Sequence, residues 1–188
     1  MKKKLIITVL LILFFYPLPT MAKYPYYISI HTAGHVFENN RNIGDTFLLG
    51  LGLGYNFNNR LSTAIRFYTG KYDIQYPKDN QTCIKDSKTG NLYHADLYYH
   101  FLPDNYIRPF ITGGFGKFNI KHSKSEELYQ DYYDQGILFN YGVGLEFYVK
   151  DVSVLGDVRH FVSSGDSRNE MVLSVGIIFC IGKESQQK

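Results

Sequence analysis

The groups able to do chemistry in this 188-residue chain are histidines, two cysteines, a short run of serines and a set of charges lodged in apolar segments. His31 and His35 lie four residues apart, and His94 and His100 six. On a strand rising about 3.3 Å per residue, these spacings separate the side chains by about 13 and 20 Å, too far to share an ion. They are expected to be hydrogen-bonding groups, and neither a metal nor another cofactor is predicted. One arrangement fits hydrolysis. Arg159-His160 precedes Ser163-Ser164, with Asp166 or Glu170 near enough in sequence to orient the imidazole. A serine nucleophile requires a base within hydrogen-bond reach and a third group to orient that base. Alternation places His160 with Val158 and Val162 on an apolar face, so an interfacial histidine is the simpler reading and no catalytic residue is assigned. Six charges remain, Arg66, Asp96, Arg108, Glu146, Asp157 and Arg159, each within an apolar segment. Buried charges persist only when paired and hydrogen-bonded, which predicts an internal ion-pair network.

The segments that must position these groups follow a leader. MKKK precedes an apolar run from Leu5 to Tyr16, then Pro17, Pro19 and small residues at Thr20 and Ala22. This is the pattern of a secretory signal peptide over 1–22, and the run is short for a bilayer helix of about 20 residues. Lys2, Lys3 and Lys4 carry the whole formal charge of +3, leaving 17 basic and 17 acidic side chains beyond residue 22. A neutral chain argues against nucleic-acid binding, because such domains concentrate cations against phosphate. With 16 Tyr and 12 Phe left, it also has too many apolar rings for a disordered protein. Two cysteines in an exported chain would permit a disulfide. Cys83 and Cys180 fall at opposite rims of the expected fold, so both are predicted to be unpaired within the chain.

Beyond the leader the polarity repeats every two residues, the period of a strand whose side chains alternate between faces. Phe47, Leu49, Leu51, Leu53 and Tyr55 alternate with Gly50, Gly52 and Gly54; Leu173, Val175, Ile177 and Phe179 stand opposite Ser174 and Gly176. Eight such segments are expected, at about 24–37, 44–57, 60–71, 91–102, 106–120, 136–149, 152–162 and 169–181. Their lengths suit tilted membrane strands. Tight turns at 58–59, 103–105 and 150–151 alternate with longer polar connections, notably 72–90 and 121–135. Tyr55, Phe57, Tyr99, Phe101, Phe147 and Tyr148 cluster near segment ends, as an interfacial girdle requires. The predicted fold is all-β: an eight-stranded antiparallel up-and-down transmembrane barrel over 23–182. It has long extracellular loops, short periplasmic turns and a polar periplasmic tail at 183–188. Parity turns the six charges inward. Arg66 and Asp96 are expected as neighbours, as are Arg108 and Glu146, in a lumen just wide enough for side chains to fill it.

RPFITGGFGKF (108–118), YGVGLEFYVKDVSVLGDVRHFV (141–162) and MVLSVGIIFCIG (171–182) carry a family likeness. The chain resembles the eight-stranded barrel of the OmpA/OprF-like outer-membrane family, in layout over 23–182 and in motifs over 106–182. Family members of the OmpA type continue into a peptidoglycan-binding domain, whereas here only Lys183–Lys188 follow, so a cell-wall tether is not expected. The resemblance implies insertion by the outer-membrane assembly machinery, with Phe179 as the aromatic of the closing-strand signal. Eight-stranded lipid A deacylases place a lipid-facing His beside a Ser, but they read His-x-Ser-Asn where this chain reads His-Phe-Val-Ser-Ser-Gly.

The expected function is therefore a non-enzymatic, monomeric barrel of the bacterial outer membrane, in a structural or surface-interaction role with a charge-plugged lumen. A narrow gated porin-like channel, a deacylase-like enzyme and a loop-borne adhesin are the alternatives. Its expected partners are outer-membrane lipids and lipopolysaccharide, the assembly machinery, and a host or extracellular ligand. Tyr129, Tyr132 and Tyr133, in an acidic segment, are the recognition candidates, since tyrosine gives amphipathic contact area with few rotamers.

Overall fold

The computed structural model describes residues 24–37, 43–79, 82–120, 136–149, 151–163 and 169–182, with the backbone alone described over 75–79 and 82–86. The expected leader, the segment holding Tyr129, Tyr132 and Tyr133, the tail 183–188, Ser164 and Asp166 lie outside the described residues.

Eight strands run antiparallel in chain order: β1 (Tyr26–Phe37), β2 (Thr46–Asn56), β3 (Leu61–Asp79), β4 (Thr82–His100), β5 (Ile107–Ile120), β6 (Leu138–Val149), β7 (Val152–Ser163) and β8 (Asn169–Ile181). Each pairs with its successor, and β1 pairs with β8 from Tyr26↔Ile181 to Phe37↔Glu170, so the sheet closes on itself. Closure removes the unpaired edges that an open sheet would expose.

Both faces of the sheet follow from alternation. Outward lie Leu49, Leu51 and Leu53 on β2 and Leu173, Val175 and Ile177 on β8, all exposed; inward lie Ser29, His31, Arg66, Asp96, Asp157 and Arg159, all buried. This inverts a soluble protein, whose apolar face is covered and whose charges meet water. From Met171 to Ile181 the outward run of β8 is uniformly apolar. At about 3.3 Å per residue it is about 33 Å long, and a tilt of about 40° brings its height to about 25 Å, that of an outer-membrane apolar band. Tyr26, Tyr55 and Phe57 contact one another in sequence, tilted and then edge to face, along one rim, with Tyr99 edge-on to Phe101 further round.

Three tight turns sit at that rim. Asn58 closes the first, its side-chain oxygen accepting from the backbone N–H groups of Arg60 at 2.7 Å and Leu61 at 2.8 Å. The opposite end differs from expectation. The segment 72–90 is no irregular loop: β3 and β4 continue through it as a hairpin of two 19-residue strands. The alternation persists there, with Tyr72 and Ile74 fully buried and Ile43 bridging to Ile74. Its outward positions, Asp73, Ser87 and Thr89, are polar because the hairpin has risen past the apolar band, and that polarity disguised a strand as a loop.

Inward glycines make the lumen habitable for large side chains. A Cβ on Gly54 would overlap the Tyr27 ring, and one on Gly176 would overlap the His31 imidazole. Each glycine gives its volume to the neighbouring strand's ring.

Candidate functional site: the lumen

Three layers fill the barrel. Toward the long hairpin, Phe37, Leu48, Tyr72, Ile74, Phe118 and Phe161 belong to one apolar cluster. Toward the tight turns, Tyr27, Tyr98, Phe110, Leu155 and Ile178 belong to a second. Between them lies a band of charge.

Arg159 is its centre. The guanidinium donates to Asp96 through Nη1 at 2.5 Å and to Asp157 through Nη2 at 2.8 Å, bridging two carboxylates. Arg66 donates to Asp157 through Nη1 at 3.0 Å. Asp96 also accepts from Asn140 Nδ2 at 2.9 Å and from the Tyr98 hydroxyl at 3.2 Å, and sits 2.6 Å from His94 Nδ1. Asp157 takes the Ser174 hydroxyl as well. The Tyr98 ring lies 5.4 Å from each guanidinium carbon. Two cations and two anions thus cancel, with the carboxylate oxygens saturated by donors, the condition under which buried charge is tolerable.

The pairing differs from the neighbour-to-neighbour expectation. In register Arg66 stands opposite His94 on β4, not Asp96, which stands opposite Ala64. Arg66 reaches instead to β7, and Arg159 of β7 reaches back to β4, so the ion pairs cross the lumen. Inward side chains on adjacent strands project side by side, whereas a long guanidinium meets a short carboxylate most directly across a narrow tube. The expected Arg108–Glu146 pair also fails to form. Glu146 is held by His100 Nε2 at 3.1 Å, and Arg108 lies over the Tyr148 ring with its guanidinium carbon 3.8 Å from the centroid. Tyr148 accordingly faces the barrel mouth instead of joining the outer girdle.

A further polar cluster was missed in the sequence. His35, fully buried, contacts the Tyr72 hydroxyl through Nδ1 and Glu170 through Nε2, both at 2.9 Å. Parity alone turns Glu170 inward, which was the available signal; its place beside a long polar segment obscured it. Glu170, engaged with His35, is turned away from His160. His160 sits on the outer wall, bonded to the Tyr141 hydroxyl at 2.7 Å, while Ser163 is buried on the inner face. Among the described residues, His160 thus lies on one side of the sheet and Ser163 and Glu170 on the other. His31, bonded to Ser29 at 2.7 Å, His94 and His100 all face the lumen. Cys180 is a free thiol at the tight-turn end, while the backbone of Cys83 pairs with that of Pro77 near the far tip of the hairpin. Phe179 faces outward and pairs with Val152 and Ile28.

Solved structures share this architecture. Neisserial surface protein A superposes with a TM-score of 0.59 at 14% identity, covering 83% of this chain and 97% of that one. OprG from Pseudomonas aeruginosa gives 0.60 at 10% identity, covering 86% and 98%. The N-terminal barrel of Pseudomonas aeruginosa OprF gives 0.50 at 21% identity, covering 81% and 97%. A comparison with curated proteins returned no significant match. Residues 7–179 match the model of the outer membrane protein beta-barrel domain; with its closed eight-stranded sheet and inverted faces, the chain belongs to that OmpA-like family of Gram-negative outer-membrane barrels.

Proposed function

We propose that this protein is a non-enzymatic, monomeric barrel resident in the outer membrane, reached after loss of 1–22, with 183–188 as a periplasmic tail. Its role is structural and surface-directed. The observation that carries this reading is the filled lumen, in which two apolar clusters flank an Arg66–Asp157–Arg159–Asp96 network whose groups are all buried. A packed interior leaves no continuous aqueous path for ions, which weighs against the porin-like alternative. Separation of His160 from Ser163 and Glu170 weighs against the deacylase alternative. The lipid-facing wall meets lipid and lipopolysaccharide, Phe179 serves the assembly machinery, and the loop carrying Tyr129, Tyr132 and Tyr133 contacts an extracellular ligand.

Planar-bilayer recording tests the plugged lumen. Purified protein is expected to give no unitary conductance; steps that change in Asp96→Asn would make the channel reading correct instead. Mass spectrometry of lipid A from overexpressing cells is expected to show an unchanged acyl pattern.

A further inference from the structure

At the tight-turn end the barrel opens into a cavity of about 410 Å³, enclosed from the sides by the turns at 57–60 and 101–106. That is the size of a small-ligand pocket and holds about a dozen waters. Its walls carry two opposite charges whose arrangement is unusual. Arg108 and Glu146 are direct cross-strand partners on β5 and β6, where an ion pair is the ordinary outcome. Instead each is held apart by a different neighbour. Arg108 is anchored over Tyr148 and donates through Nε to the Asn105 carbonyl at 3.3 Å. Glu146 uses Oε2 for His100. Stacking and the Nε bond leave the guanidinium's terminal N–H fork to meet a planar carboxylate. The Glu146 carboxylate lines the same cavity, where it can accept from a cation, and Tyr27 and Tyr98 line the apolar floor beside it.

We propose that this mouth is a binding site for a small zwitterion of amino-acid or dipeptide size, its carboxylate on Arg108 and its ammonium on Glu146. A lone anion would meet Glu146 and Asp104, and a lone cation would meet Arg108, so neither satisfies the site as well as a molecule carrying both charges. Arg108 and Glu146 are already separated, so binding need not first break an ion pair between them, which is the advantage of a preorganised site. The site lies on the side of the barrel that faces the periplasm in the reading above, yet its chemistry does not depend on that orientation.

The test uses the barrel refolded in detergent micelles and L-alanyl-L-alanine as probe, followed by amide chemical shifts. Two analogues accompany it, the N-acetylated dipeptide, which lacks the ammonium, and the dipeptide amide, which lacks the carboxylate. The dipeptide is expected to saturate shifts at β5 and β6 near the mouth, with each analogue at least tenfold weaker. Arg108→Gln is expected to weaken the dipeptide at least tenfold and to leave the amide analogue unchanged. Absence of saturation, equal affinity for all three probes, or an unaltered titration in R108Q would overturn the proposal. The comparison of the three probes on the unaltered protein needs no variant, so a folding defect in R108Q cannot mask the answer.

Discussion

Arg159 touches both lumenal aspartates, and its removal has a cost that its mere burial would not convey. Arg159→Met keeps roughly the length of the side chain but leaves Asp96 and Asp157 short of their shared cation. Breaking a buried pair from one side costs about 3–5 kcal/mol, because the orphaned charge stays in a low-dielectric site. Urea unfolding in lipid vesicles is expected to show a loss of that order for R159M. Glycines offer a matched pair at the same scale. Gly176→Ala would place a methyl within the His31 ring and is expected to cost about 1–3 kcal/mol by overpacking. Gly34→Ala, on the outer wall with nothing within 4 Å of the added carbon, is expected to stay within about 0.5 kcal/mol of the parent. Equal losses at both glycines would mean that the lumen is not packed as described.

Each strand carries two solvents, lipid on one face and a packed polar interior on the other. The consequence for substitution is opposite to that in a soluble domain. Leu51 is 61% exposed on β2, where a soluble protein would accept arginine at little cost. In the bilayer midplane the same change costs about 2–4 kcal/mol. Leu51→Arg is expected to show that loss on vesicle unfolding, and near neutrality would mean the outer wall does not meet lipid. The strand pattern was legible wherever the outward face is apolar, and fourteen of the sixteen expected boundaries, all but the end of β3 and the start of β4, fall within two residues of those observed. It became illegible along 72–90, because above the apolar band both faces of a strand can be polar and the period of two loses its contrast. Tyr72 and Ile74 kept the inward half of the signal; Asp73, Ser87 and Thr89 lost the outward half.

For the molecule as a whole, closure from β1 to β8 and a filled lumen predict a barrel that resists detergent until heated. Unheated samples are expected to migrate differently from boiled ones on denaturing gels and to fractionate with the outer membrane. Recovery in a soluble fraction, with no heat-dependent mobility, would overturn both the location and the inverted-face reading. Assembly of such a barrel is non-local, since β1 cannot bury its inward residues until β8 arrives 135 positions later, as the contact between His35 and Glu170 records.

Parity by itself determined which residues face inward, because the backbone of a strand admits only two directions for a side chain. It thereby established the barrel, its membrane face and the gathering of Arg66, Asp96, Glu146, Asp157 and Arg159 inside. Tertiary structure decided who meets whom. Closing eight strands fixes the stagger between walls, and stagger sets the heights at which side chains from β3, β4 and β7 coincide. That is why Arg66 finds Asp157 across the tube and why Arg159 bridges two aspartates, whereas Arg108 and Glu146, adjacent in register, stand apart because Tyr148, Asn105 and His100 engage them separately.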